Sequence, residues 1–170
     1  MDRDALRTLQ EPLKQRYRED PDEALVTLHA TGTLDDGITC SVQTGRALAT
    51  AGLHPATGGD GLALCSGDML LEALVACAGV TLRAVATAIG VRVDGGTITA
   101  DGVLDFRGTL AVDRDAPVGF REIALRFELD APDADEEQLA TLIKLTERYC
   151  VVLQTLRSSP PVEVAVATTA

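Results

Sequence analysis

The sequence predicts one α+β domain: an antiparallel sheet with its helices packed on one side. Three observations carry that expectation. Residues alternate apolar and polar with period two in Leu25–Leu34, Ile38–Val42 and Glu122–Leu129; Met69 to Ile89 is an apolar run of 21 residues; and a capped amphipathic segment starts near Asp135. The strands neighbour one another and are not interleaved with crossover helices, which favours an antiparallel meander. A length of 170 residues suits a single core, divided here into a peripheral helical arm over residues 1–20 and a domain over 21–170.

The chain carries 15 basic and 26 acidic side chains, a net charge of −11. That field repels nucleic acid, so no nucleic-acid partner is expected. Its opening residues, with Asp2, Arg3, Asp4 and Arg7, lack the basic-then-apolar pattern of a secretory signal, and a cytoplasmic, reducing compartment is expected. The apolar run could span a bilayer by length, but it contains Glu72 and Arg83 and is rich in small residues, so no membrane partner is expected either.

From the N-terminus, Arg3 to Arg18 is helix-prone, with Pro12 expected to break or restart the helix. In the first strand Val26, Leu28 and Ala30 alternate with Thr27, His29 and Thr31. Asp36-Gly37 turns the chain, and Ile38, Cys40 and Val42 complete a hairpin whose inward face includes Cys40, read as core filling rather than a reactive thiol. Gly45 to Gly67 forms a Gly-rich loop of 23 residues, a length that in a compact domain is usually functional or disordered. Its Gly58-Gly59-Asp60-Gly61 has no following Walker lysine, which argues against a phosphate cradle.

Ser66 or Asp68 is expected to cap the next helix, and Gly90 to stop it. That helix is apolar on every face, so it should be buried on every face, with a second copy of the chain supplying part of the wrapping. Val91–Val93, Thr97–Phe106, Thr109–Val112 and Glu122–Leu129 read as strands. One further helix runs from Asp135 with the stripe Leu139, Leu142, Ile143, Thr146, Tyr149 and Cys150, Leu153, Leu156, and ends at Pro160-Pro161. Val162, Val164 and Val166 form a last strand.

Four cysteines, Cys40, Cys65, Cys77 and Cys150, are too few for a disulfide-built scaffold. Cys77 lies in the buried helix and Cys150 in the apolar stripe of the second, and two helices on one sheet could bring them together; both also suit small core positions. Reactivity would require thiolate, and an unperturbed thiol is only about 3% ionised at pH 7. Cys77 is too deep in its helix for the dipole to help, so a cation must approach it. Arg46, at the mouth of the Gly-rich loop, is the preferred candidate, with Arg83 and Arg148 as alternatives. Asp68 or Glu72 could hold that guanidinium; Glu72 serves equally as an exposed edge or a structural ion pair. Cys65 is either a packed loop residue or a third redox thiol. No cysteine or histidine spacing suggests a metal site, and His29 and His54 offer no base for a cysteine nucleophile.

The segment Ser66-Gly67-Asp68-Met69-Leu70-Leu71-Glu72-Ala73-Leu74-Val75-Ala76-Cys77-Ala78-Gly79-Val80-Thr81-Leu82 resembles the central helix of the OsmC/Ohr family, which carries that family's first redox cysteine. Glu147-Arg148-Tyr149-Cys150-Val151-Val152-Leu153-Gln154-Thr155-Leu156 resembles its second-cysteine helix. The resemblance spans Leu25 to the C-terminus. It implies an OsmC-like fold, an intertwined homodimer with sites at the interface, and thiol-dependent reduction of organic hydroperoxides, in some members also of hydrogen peroxide. Carried over by position, it makes Cys77 the peroxidatic thiolate and Cys150 the resolving thiol, with Arg46 and Asp68 in support; Asp68 stands where many relatives have Glu. It further implies an external dithiol reductant, lipoyl or thioredoxin-like, and no bound metal or organic cofactor. The competing reading is an OsmC-fold protein that binds a small hydrophobic molecule at the dimer cleft without turnover.

Overall fold

A computed structural model describes residues 3–34, 40–42, 51–62 and 64–166 of the chain. Helix α1 (Arg3–Glu19) leads through a short 3-10 turn (Pro21–Ala24) into strands β1 (Leu25–Leu34) and β2 (Cys40–Val42). Helix α2 (Ser66–Ile89), strand β3 (Gly95–Asp105), the single turn α3 (Phe106–Thr109), strand β4 (Phe120–Asp130) and helices α4 (Glu136–Tyr149) and α5 (Val151–Arg157) follow. The strands form one antiparallel sheet in the order β2-β1-β3-β4. This is the α+β architecture that the sequence predicts.

Period-two patterning becomes a sheet with one packed face. In β3, Ile98, Ala100, Gly102 and Leu104 are buried while Thr97, Thr99 and Asp101 are only half-buried. Gly102 is needed for a close approach, because an added Cβ would lie 2.4 Å from the Phe120 ring. Along β4, Ile123, Leu125, Phe127 and Leu129 pack toward the core, with Arg126 and Glu128 exposed. The pairing Leu34↔Cys40 confirms the β1–β2 hairpin. Its Asp36-Gly37 turn and the side chains of His29 and Cys40 lie outside the described ones.

Helix α2 crosses this face. Leu71, Leu74, Val75, Ala78 and Leu82 are fully buried, and each fully buried Leu is worth about 2 kcal/mol. Gly90 ends the helix in the left-handed conformation, φ 72°, with its N–H on the Ala86 carbonyl. Although α2 is long and apolar enough to cross a membrane, its buried face packs on the sheet and α4, as in a core helix. Burial is not all-round: Met69, Leu70 and Val80 are 37%, 37% and 42% exposed, and with exposed Ala73 and Ala84 they form an apolar stripe. The described residues leave that face uncovered.

Several expectations are corrected. Helix α1 continues through Pro12, which is exposed. Tyr17, 2% exposed, anchors the end of α1 by donating its hydroxyl to the Ala56 carbonyl at 2.6 Å. Cys65, rather than Ser66 or Asp68, occupies the N-cap of α2 and makes no side-chain capping bond; Ser66 and Asp68 already lie in the first turn. Residues 91–94 are not a strand. Val91 and Val93 are buried, but the Val93 carbonyl accepts from Arg83. Thr109 closes α3 and Leu110–Val112 form a turn, because Asp105 caps α3 and Ala111 takes φ 54°. Val162, Val164 and Val166 are 81%, 87% and 86% exposed and form no ladder with the described strands. The described part of the Gly-rich loop is built around a 3-10 turn at Pro55–Thr57, and Ala51 bridges to Leu64.

Candidate functional site

The segment expected to be one helix after Asp135 is two. Helix α4 opens with a capping box between Asp135 and Gln138 and closes at Cys150, whose φ −70° and ψ 105° are extended. The same residue is the N-cap of α5. Cys150 N–H reaches the Thr146 carbonyl at 2.9 Å, and its own carbonyl accepts from Gln154 N–H at 2.9 Å. Gln154 Nε2 donates to the Glu147 carbonyl at 2.7 Å, satisfying an acceptor in the last turn of α4. The first amides of α5 are left without helical acceptors, and Val151 and Val152 turn theirs toward the sulfur of Cys77.

Helices α2 and α4 run antiparallel. Cys77 meets Cys150 at one end, while Ile89 and Val91 share a cavity with Asp135, Gln138 and Thr141 at the other. The structure thus brings together the two thiols that the sequence singled out, and their environments differ. Cys77 is half-buried and Cys150 fully buried. Burial pushes the Cys77 thiol up, but donation from Val152 N–H, the Cys150 thiol, the Thr81 hydroxyl and Val151 N–H outweighs it and brings the thiol below its ordinary value. Burial pushes Cys150 up to about 11, aided by the neighbouring Cys77 against donation from Leu153 N–H. The thiol of the half-buried residue is disposed to ionise, and its fully buried neighbour keeps a proton to donate to it.

Two further hydroxyls lie one turn from the pair. Thr81 lies one turn after Cys77. Thr146 lies one turn before Cys150, is 1% exposed, and its Oγ1 has no hydrogen-bond partner among the described residues. A buried hydroxyl left unsatisfied costs about 1–3 kcal/mol.

The other expected site residues are placed less centrally. Arg46 lies outside the described residues. Arg83 donates from Nη1 to the Val93 carbonyl, while its buried Nε has no hydrogen-bond partner among the described residues, and exposed Arg148 lies 5.5 Å over the Tyr149 ring. Asp68 is nine residues before Cys77, about 14 Å along the helix and on its opposite face. Burial raises its carboxyl against a lowering influence from His54. Glu72 is raised by burial and by Asp68. Cys65 is 12 residues, about 18 Å, from Cys77 along the axis. It lines a separate cavity of about 440 Å³ with His54 and Phe106, whose rings stack at 5.0 Å.

Sequence reading missed an apolar groove of about 360 Å³ between β4 and the helices. Leu74, Leu125, Phe127, Leu153 and Leu156 line it, with Arg121, Glu122, Glu147 and Arg157 among its polar residues. Leu74 is one turn before Cys77 and Leu153 three residues after Cys150, so the groove lies beside the thiol pair. The nearest signal was the Leu153/Leu156 stripe, which reads as ordinary helix packing.

A family model described as OsmC-like protein matches residues 58–165. The chain belongs to the OsmC-like protein family. Its fold is similar to the crystal structure of an OsmC-like hydroperoxide resistance protein from Jannaschia sp. CCS1, with a TM-score of 0.63 and 19% identity over 85% of this chain and 95% of that one. It is also similar to an OsmC-like protein from Mycoplasma pneumoniae, with a TM-score of 0.55 and 18% identity over 79% of this chain and 86% of that one. No curated protein matches the chain. At these identities the likenesses establish the OsmC-like fold alone. Both cysteines and the whole of α2 lie within the family match.

Proposed function

We propose that this protein is a thiol-dependent peroxidase that reduces organic hydroperoxides, with Cys77 as the attacking thiolate and Cys150 as the resolving thiol. The observation that carries this reading is the asymmetry of the pair: the thiol of half-buried Cys77, held below its ordinary pKa, neighbours the fully buried Cys150, whose thiol is pushed up. A family that includes a hydroperoxide resistance protein is consistent with it.

The Cys77 thiolate attacks the terminal peroxide oxygen, the O–O bond breaks, and the alkoxide leaves and takes a proton to become the alcohol. Cys77 is oxidised by two electrons to the sulfenic acid, while the peroxide is reduced. The Cys150 sulfur then attacks the sulfenic sulfur, its proton leaves with the hydroxyl as water, and a disulfide remains. An external dithiol, lipoyl or thioredoxin-like, reduces that disulfide and is itself oxidised. The two thiols supply both electrons, so the cycle needs no bound metal or organic cofactor. Hydrogen peroxide fits the same step with water as the leaving product. Arg46 is assigned the guanidinium that stabilises charge on sulfur and leaving oxygen, oriented by Glu72 or, in the dimer, by Asp68 of the second copy; replacing Arg46 with Gln tests this through the rate of peroxide consumption.

The reading includes a homodimer. The uncovered α2 stripe through Met69, Leu70 and Val80 and the alternating exposed Val162, Val164 and Val166 are apolar surfaces suited to a second copy. A reducing cytoplasm suits thiols that must be returned to the free state. A second reading, a protein that binds an apolar molecule without turnover, is favoured by the groove lined by Leu74, Phe127 and Leu156. Consumption of cumene hydroperoxide with dithiothreitol as reductant separates the two. The peroxidase loses turnover in Cys77→Ser, whereas a binder consumes no peroxide in either form.

A further inference from the structure

The Thr146 hydroxyl is buried, lacks a hydrogen-bond partner among the described residues, and sits on the face of α4 that carries Leu142 and Cys150, both fully buried. Valine has nearly the same shape and would remove the unsatisfied group, so packing alone does not account for threonine at this position. The antiparallel register of α2 and α4 supplies a reason. With Cys77 against Cys150 and Ile89 beside Gln138, the antiparallel register sets the residue four before Cys150, Thr146, level with the residue four after Cys77, Thr81. The Thr81 hydroxyl is already directed at the Cys77 sulfur. What the reduced pair lacks, and the oxidised Cys77 acquires, is an oxygen atom.

We propose that Thr146 is a positioning residue for the oxidised site, its hydroxyl held ready for the oxygen that Cys77 carries as sulfenic acid, with Thr81 beside it on the sulfur. This assignment rests on the peroxidase reading. The peroxide supplies the oxygen, no further oxidant is required, and Thr146 undergoes no bond change: it donates to the sulfenic oxygen and orients the sulfur–oxygen bond for attack by Cys150. The arrangement also hinders a second oxidation, because an oxygen held in place keeps the sulfur lone pair turned toward Cys150.

The test uses the full chain with Cys150→Ser, which stops the cycle at the sulfenic acid. One equivalent of cumene hydroperoxide is added, dimedone is added after graded delays, and mass spectrometry reads sulfenic against sulfinic Cys77. Thr146→Val should shorten the sulfenic lifetime about fivefold or more and increase the sulfinic product correspondingly. Thr146→Ser, which keeps the hydroxyl, should restore the parent lifetime. An unchanged lifetime in Thr146→Val, with an unchanged or higher melting temperature, would overturn the proposal and mark the hydroxyl as merely tolerated. If Cys77 in the Cys150→Ser parent forms no sulfenic acid, the peroxidase reading fails and this inference with it. Failure of the inference alone changes nothing between parent and Thr146 variants.

Discussion

The backbone N–H of Val152 is the largest of the influences that lower the Cys77 thiol, so the start of a seven-residue helix acts on a thiol in the middle of a 24-residue one. The helix break at Cys150 makes this contact available. In one continuous helix, the Val152 amide would be committed to the carbonyl four residues earlier.

Cys77 should therefore alkylate faster than an ordinary thiol at neutral pH. With iodoacetamide, its rate should rise through a midpoint below that of the same residue in unfolded protein, while Cys150 stays unmodified in the folded state until the pH approaches about 11. Peptide mass mapping reads both residues in one experiment. Equal rates for the two thiols at pH 7 would contradict the asymmetry.

The same shifts predict the pH dependence of stability. Cys150 is raised when folded, so its contribution is complete below the ordinary thiol pKa and is lost as pH rises toward about 11. Cys77 is lowered, so its contribution is present above the ordinary value and lost as pH falls through its folded one. Urea midpoints between pH 8 and 11 should fall for the wild type and change less for Cys150→Ser.

Gln154→Ala removes the side-chain donor on the Glu147 carbonyl at the α4–α5 junction. A loss of about 1 kcal/mol is expected, measured by urea unfolding, with slower Cys77 alkylation at pH 7 as the junction loosens. A stability loss with alkylation unchanged would separate the junction from the thiol.

Asp105 is 1% exposed and paired with Arg107 at 2.6 Å. The Arg107 side chain is the largest influence on its carboxyl and holds it below the usual range. Its contribution is present above the ordinary Asp pKa and lost as pH falls through the depressed folded one. Asp105→Asn should cost about 2 kcal/mol at pH 7 and flatten the acid limb of the stability profile, read by thermal unfolding from pH 2 to 7.

Much of this was legible in the sequence because it rests on periodicity. Strands β1, β3 and β4, the extent of α2 and its Gly90 stop follow from alternation, an apolar run and a left-handed cap. Other features were set by tertiary contacts that carry no local signal. Pro12 stays inside α1, whose end is anchored by Tyr17 on the Ala56 carbonyl. Val91 and Val93 alternate as a strand would, yet Arg83 takes the Val93 carbonyl. The two cysteines could be named from their positions and from family resemblance. The break at Cys150 could not, since no glycine or proline marks it and its support comes from Gln154. The Arg46 assignment still rests on resemblance.

Val80 lies midway along the uncovered face of α2 at 42% exposure. Placing a charge there with Val80→Glu should convert the proposed dimer to monomer in analytical ultracentrifugation at micromolar concentration, while leaving the far-UV circular dichroism unchanged. A wild-type chain that sediments as a monomer would remove the dimer from the account.

The most direct measurement treats the reduced protein with one equivalent of cumene hydroperoxide and maps its disulfides by peptide mass spectrometry. One molecule of alcohol is expected per disulfide formed, the disulfide joining Cys77 to Cys150, with Cys65 still free. Intact hydroperoxide with both thiols reduced, or a disulfide that includes Cys65 in place of either partner, would contradict it.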